Sequence, residues 1–441
     1  MPGRFLTRKL ALVICSFLLV FWNSAAFGDE DRLLRVRLTS AFPAALQVSG
    51  DTSVLSLTIA GGWQTVDNLT LTKDRRWNIA WDKDAGRLTL SSDDGKSFSS
   101  DRPIRLVPET SEGVFQIFGR YYPGTLEFFP GKNGLEAYNK VGIEEYVKGV
   151  LAGESIPGWQ IEALKAQAVA ARTFALCQLG RHGDYDFCDQ PHCQRYLGVT
   201  QEPSFIRAVD ETKGQVLTFN NKLIWAFYHA SSGGQTENNE DVWGGAPLPY
   251  LRSVKDYDET CVKCDWPTPY LMTAGEFLAR LGFVNWPSCE IRPVFSAQGG
   301  NPVAYTFQRP GDLKPQRLTR EEIRWKLGFP SPRFQIRRIN GEEIRQALTQ
   351  IDGGTVRVLQ GVPEGEQIRL TIRLDVDIPG EVLNGPATLL PSEILFITGK
   401  GSGHGVGLSQ WGSQGMALLG KNYQEILHHY YGDGVVITQY N

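Results

Sequence analysis

The amino-acid pattern predicts an α+β fold, with mixed β-sheets and a few helices behind an N-terminal β-rich domain. Three observations carry this expectation. Alternating apolar and polar residues, broken by Gly, Asp and Asn turns, run from Leu33 to about Phe129. A long Ala-rich stretch without internal Gly or Pro, Ile161 to Leu179, reads as the strongest helix of the chain. Beyond it strand and helix signals mix, without the regular alternation of a doubly wound sheet.

Taken in order, the first 28 residues have the grammar of an export signal. Arg4, Arg8 and Lys9 form a basic start, Leu10 to Trp22 an apolar run, and Ser24 to Gly28 a small-residue stretch before Asp29. The apolar run is short of the roughly 20 residues that span a bilayer, so cleavage is expected rather than anchoring. No later stretch is apolar enough to cross a membrane, and the mature chain is expected outside the cytoplasmic membrane, in periplasm or cell wall, with no stable membrane insertion. Residues 29–130 read as a β-rich accessory domain, with strands such as Leu33–Leu38, Val54–Ile59 and Arg87–Leu90. Residues 131–441 read as one further domain with an inserted segment around 257–395. Within it helices are expected at Val141–Val150, Ile161–Leu179, Thr319–Leu327, Gly341–Leu348 and Lys421–Tyr431. Strands are expected over Gly214–Tyr228 and after Ile291, and a hairpin over Thr355–Ile378.

Composition narrows the function classes. The 441 residues are 41% hydrophobic and 21% charged, ordinary for a globular protein. A net charge of -3 argues against a nucleic-acid binder. Eleven Trp and fifteen Tyr suit carbohydrate, although aromatic packing accounts for most of them. Six cysteines remain after the export segment, too few for a scaffold built on disulfides.

Chemistry concentrates in EEYVKGVLAGESIPGWQIEALKAQAVAARTFAL, which starts at Glu144. Glu154 follows Gly153 in a breaker-rich turn between two helix patterns, near Leu151, Ile156 and Trp159. Desolvation there would raise its pKa toward that of a general acid. The plainer alternative is an acid favoured at a helix N-terminus. On the next helix Glu162, Lys165, Val169 and Arg172 share a face, either as a solvated ion-pair stripe or as a cleft floor in which Lys165 and Arg172 hold polar substrate groups.

His182, Cys188, His192 and Cys193 offer two imidazoles and two thiols within twelve residues. They allow a closed tetrahedral zinc site of structural kind, or a Cys188–Cys193 disulfide. Cys261, Cys264 and Cys289 read as a disulfide whose pairing stays open, and Cys177 as a core residue. In AFYHASSGGQTENNEDVWGG, Tyr228, Ser231, Asp241 and Trp243 read as a glycan-binding wall. A Ser–His hydrolase reading lacks an orienting acid. In GKGSGHGVGLSQWG the glycines do not match a phosphate loop, and suggest instead a tight turn carrying His404, with Gln410 just beyond.

The Glu144–Leu176 segment, the block at 226–256, GKGSGHGVGLSQWGSQGMA at 399–417 and YQEILHHYYGDG at 423–434 together resemble the stage II sporulation protein D family, also called the amidase-enhancer family. The resemblance covers about residues 130–441. It implies lytic transglycosylase activity on peptidoglycan glycan strands stripped of stem peptides, with Glu154 as catalytic acid and base. It also implies a metal at the His/Cys cluster in some members. The cofactor expectation is therefore a structural Zn, with none required for the chemistry. The other function it allows is a non-catalytic wall binder that enhances a partner cell-wall amidase. One carboxylate suffices for a lytic transglycosylase: it protonates the glycosidic oxygen and then deprotonates the muramic C6 hydroxyl, which attacks C1 of the same sugar.

Overall fold

The computed structural model describes residues 32–38, 45–50, 53–59, 62–71, 76–110, 112–117, 119–131, 134–261, 264, 266, 269–296, 301–340, 343 and 380–440. The export segment, the helix expected at Gly341–Leu348 and the hairpin expected at Thr355–Ile378 lie outside those residues, apart from Glu343.

The alternating N-terminal pattern forms two sheets, antiparallel except where Phe187–Cys188 joins the edge of the first. One contains, in spatial order, Phe187–Cys188, Leu33–Leu38, Gly134–Gly142, Thr125–Gly131, Ile104–Pro108, Ser53–Ile59 and Gly62–Leu71. The other runs Arg120–Pro123, Val114–Ile117, Ala45–Gly50, Trp77–Asp82, Arg87–Ser92 and Ser97–Ser100. Period-two patterning puts Leu34, Val36 and Leu38 on one face of their strand, where all three are buried. Leu33–Leu38 pairs antiparallel with Gly134–Gly142 and parallel with Phe187–Cys188, so the N-terminal strands are sewn into the segment that follows residue 130.

Eight helices are described. They are α1 (Ile143–Glu154), α2 (Ile161–Cys177), α3 (Pro203–Asp210), α4 (Asn239–Trp243), α5 (Ala274–Leu281), α6 (Arg320–Leu327), α7 (Gln410–Leu418) and α8 (Tyr423–Tyr431). The composition of α2 has a packing reason. Its Leu164, Ala168 and Ala171 join the core of the N-terminal sheets, α1 and α3, while Ala166, Val169 and Ala170 join a second core with Leu408, Met416, Leu427 and Tyr430. A helix packed on both sides needs short side chains, and Ala supplies them with the best helix propensity. A third core holds Phe277, Ile291, Phe307, Ile323, Phe334 and Leu395, nearly all from the inserted segment.

The structure moves one boundary that matters. The first helix, expected at Val141–Val150, runs instead from Ile143 to Glu154 through Gly149 and Gly153. Packing on both glycines outweighs their roughly 1 kcal/mol helix penalty. The α+β class is as the sequence predicts. The helices α3, α4, α5 and α7 were not expected, although α5 carries a Thr273 N-cap and a left-handed Gly282 at its end. Cys261 and Cys264 form a disulfide, and Cys289 is a buried free thiol.

Candidate active site

Glu154 is the last residue of α1 rather than part of a turn. That excludes the helix N-terminal reading and reverses the dipole argument: a carboxylate at a helix C-terminus faces the negative end of the macrodipole. Burial pushes its pKa above the ordinary carboxylate range, against the opposing effects of the Arg195 N–H, the Gln410 amide and the Arg195 charge. Among the described residues no second acidic group contributes to that shift.

The loop that positions it can be read from two glycines. Gly149 and Gly153 are four apart and lie on one face of α1. A Cβ at Gly149 would meet the Gly198 carbonyl at 2.4 Å, and one at Gly153 would meet the Arg195 carbonyl at 2.1 Å. Only glycine lets the 195–198 backbone lie so close. Leu197 N–H bonds the Gly149 carbonyl at 3.1 Å, and Arg195 N–H bonds Glu154 Oε1 at 2.7 Å. From the other side α7 begins with Gln410, whose amide nitrogen stands 3.5 Å from Glu154 Oε2. Trp159 and Trp411 meet edge to face at 5.1 Å, and Gln160 N–H bonds the Gln414 side chain at 2.8 Å, so the α1–α2 turn is held against α7.

Beneath Glu154, Gln194 donates to the Tyr228 hydroxyl at 3.0 Å and accepts from Tyr146 at 3.2 Å. Burial raises both phenols well above their usual pKa, and Glu154 adds to the rise in each. Trp159 was expected beside Glu154, whereas Tyr146, Gln194, Arg195 and the partner tryptophan Trp411 were not. The glycine spacing on α1 was the one available signal for the approach of the 195–198 loop.

The other candidate residues divide. Arg172 is fully buried and paired with Glu144, whose Oε1 accepts from Nε at 3.0 Å, and it also bonds the carbonyls of Gln215 and Val209. Glu144 and Glu154 are ten residues apart on α1, about 15 Å along the axis. Removing one partner of such a pair typically costs about 3–5 kcal/mol, which marks Arg172 as part of the fold's interior. Lys165 is held by Glu162 at 3.0 Å and Glu211 at 2.6 Å. The charged stripe on α2 is thus occupied by the protein's own carboxylates and not brought to Glu154.

Strand alternation separates the rest. Tyr228 turns toward Gln194, whereas its neighbours Phe227 and His229 pack on His404 at 6.0 and 5.5 Å between ring centres. Trp243, 41% exposed, covers His404 at 5.1 Å and Phe227 at 4.8 Å. His404 Nδ1 accepts from Val406 N–H at 3.1 Å, and its ring also bonds the Tyr228 carbonyl. Burial drives its pKa far below the ordinary value, so it is neutral with both nitrogens engaged. Ser231 bonds Asp258 inside the fold, and Asp241 accepts from Asn238 at 2.8 Å. His229 Nδ1 faces the Val406 carbonyl at 3.2 Å and its buried Nε2 meets no hydrogen-bond partner, so among the described residues no serine is coupled to it.

The four residues of the His/Cys cluster converge. His182 Nε2 stands 3.2 Å from Cys193 Sγ, His192 Nδ1 lies 3.8 Å from Cys188 Sγ and 3.4 Å from Cys193 Sγ, and the two sulfurs are 3.5 Å apart. Ligands at about 2.3 Å (sulfur) and 2.0 Å (nitrogen) from a tetrahedral centre are separated by about 3.5 Å, and a disulfide needs about 2.05 Å. His182, His192 and Cys193 bring their ligand atoms within 4.8 Å of one another, and Cys188 Sγ lies beside two of them, a spacing compatible with metal ligation by three of the residues with Cys188 at its edge. The hydrogen bond between the two thiols lowers the pKa of Cys188 and raises that of Cys193, so the pair favours a state with one proton shared between the sulfurs. Gln194 and Arg195 follow immediately, so the cluster fixes the loop that holds Glu154.

A family model described as Stage II sporulation protein matches residues 131–219, the stretch that contains Glu154, the cluster and Arg195. Stage II sporulation protein D of Bacillus amyloliquefaciens is 30% identical over 323 residues, covering 68% of this chain and 75% of that protein. The chain belongs to the stage II sporulation protein D family. Within reach of the same family, the amidase enhancer of Bacillus subtilis strain 168 is 26% identical over 450 residues, 95% of this chain and 59% of that protein. A protein of Brachyspira hyodysenteriae without an assigned function is 32% identical over 340 residues, covering 76% and 77%.

Proposed function

We propose that this member of the family is an exported lytic transglycosylase that cleaves peptidoglycan glycan strands and leaves 1,6-anhydro-muramic ends. The observation that carries the reading is Glu154: a single half-buried carboxyl with a raised pKa and no acidic partner among the groups that act on it. Hydrolysing glycosidases set two carboxyls across the bond. A group that works alone suits intramolecular attack, where the C6 hydroxyl replaces water and the same residue gives and then takes a proton. Its elevated pKa favours the acid form for the first step, and the Arg195 N–H can stabilise the carboxylate that remains. Gln410 and Tyr228 are proposed to orient this carboxyl, while Trp243, with His404 beneath it, offers a flat apolar shelf at the molecular surface. Asp241 and Ser231 retain only a supporting part in that wall; Arg172 ties α2 to α1, and Lys165 ties α2 to the end of α3.

His182, Cys188, His192 and Cys193 are proposed to hold zinc. With four protein ligands the metal has no open position and supplies rigidity rather than reaction chemistry. A second reading, a wall-binding partner that enhances an amidase, is favoured by the name of the Bacillus subtilis relative.

Replacing Glu154 by Gln separates the two readings. The amide keeps size and hydrogen bonding but transfers no proton. Release of anhydro-muramyl products from purified strands is expected to fall by about 10⁴-fold or more while the variant still pulls down the same strands. Near wild-type turnover would remove Glu154 from the mechanism. A wild type that releases nothing yet accelerates a wall amidase supports the enhancer reading.

A further inference from the structure

The loop that holds Glu154 also delivers a charge that the fold does not use. Arg195 gives its backbone N–H to Glu154 at 2.7 Å, and a Cβ added at Gly153 would stand 3.1 Å from its own Cβ, so its side chain starts beside the carboxyl. That side chain is exposed. Among the described residues its guanidinium forms no ion pair or side-chain hydrogen bond. Other arginines of this region are occupied: Arg172 by Glu144, Arg35 by Glu127, Arg207 by Glu211 and Arg252 by Glu240.

Resting on the glycan-strand reading, we propose that the Arg195 guanidinium binds a carboxylate of the substrate next to the scissile bond, so that the site reads charge on the muramic acid residue. Muramic acid carries a lactyl group on O3. Its carboxyl is an anion when free and a neutral amide when a stem peptide is attached, and a stem peptide brings carboxylates of its own. A guanidinium matches a carboxylate with two parallel hydrogen bonds, whereas an amide offers one acceptor and no charge. The placement has a second consequence. The Arg195 charge opposes the raised pKa of Glu154. A bound carboxylate cancels part of that opposition, so binding an anion helps Glu154 keep the proton it must donate.

The test compares wild type, Arg195→Met and Arg195→Lys on three purified strands: with free lactyl carboxyls, with those carboxyls converted to methylamides, and with intact stem peptides. Wild-type kcat/KM is expected to drop about 10- to 100-fold from free to methylamide strands, the range of a charge-assisted hydrogen bond. Arg195→Met should lose that factor on free strands and show no preference between the two, and Arg195→Lys should recover part of it. The alkaline limb of kcat/KM for Arg195→Met should move to higher pH, which a change in packing alone does not produce. A loss confined to peptide-bearing strands assigns the carboxylate to the stem peptide and sustains the proposal. An Arg195→Met variant that ranks the three strands as wild type does overturns it. If wild type yields no anhydro product from any strand, the lytic reading falls instead. Retention of the three strands on immobilised protein then decides the role of Arg195 by the same ranking.

Discussion

Glu154 is held where charge is unfavourable, at the C-terminal end of α1 and half-buried, and this has a stability consequence that can be measured. In the unfolded chain a glutamate titrates near 4.3, and in the fold this one titrates higher. Below about pH 4 it is protonated in both states and costs nothing. As pH rises the unfolded state loses its proton first, so stability is lost until pH passes the folded pKa, and the loss then stays constant. Gln at this position does not titrate. The melting temperature of Glu154→Gln is therefore expected to exceed that of wild type by more at pH 7.5 than at pH 4. A gap that is the same at both pH values would contradict the raised pKa.

At the level of elements, the loop between α2 and α3 links the His/Cys cluster proposed to hold zinc to the acid. Cys188 lies on a two-residue strand beside Leu33–Leu38, Cys193 meets His182 from just beyond α2, and the next two residues serve Tyr228 and Glu154. Purified without chelator, the wild type is expected to carry about one zinc per chain, and Cys193→Ser none, with a lower melting temperature and slower strand cleavage. A metal-free wild type with a Cys188–Cys193 disulfide by mass spectrometry would contradict the assignment. Much of this was legible in the sequence: the four ligand types within twelve residues, Glu154 beside a glycine, and Ile161 onward as a helix. The partners of the charged stripe were not. Periodicity puts Lys165 and Arg172 on one face and foretells the Glu162–Lys165 pair within α2, but it says nothing of what meets that face from elsewhere, where Glu211 and Glu144 supply the other carboxylates. His404 was legible as a residue on a glycine-rich turn, but its packing against Trp243, Phe227 and His229 was not, because those contacts come from a distant segment.

Across the whole molecule, two of the three hydrophobic cores meet at α2, one reaching α1 and the other α7, and Glu154 sits where α1 and α7 come together. The N-terminal strands are part of this support, because Val199 N–H bonds the Tyr121 carbonyl at 2.7 Å just past the loop that holds the acid. The arrangement supplies one half-buried proton donor and acceptor and a stacking surface on the other face of the short Tyr228–His229 strand. Chemistry with one carboxyl and no activated water leaves a mark on its product. The direct test is the mass of the new ends released by wild-type protein from purified glycan strands. An anhydro-muramic end is one water lighter than a reducing end. The account predicts anhydro ends, absent with Glu154→Gln; reducing ends would mean that water is the nucleophile, and would contradict a single acid–base residue acting through the C6 hydroxyl.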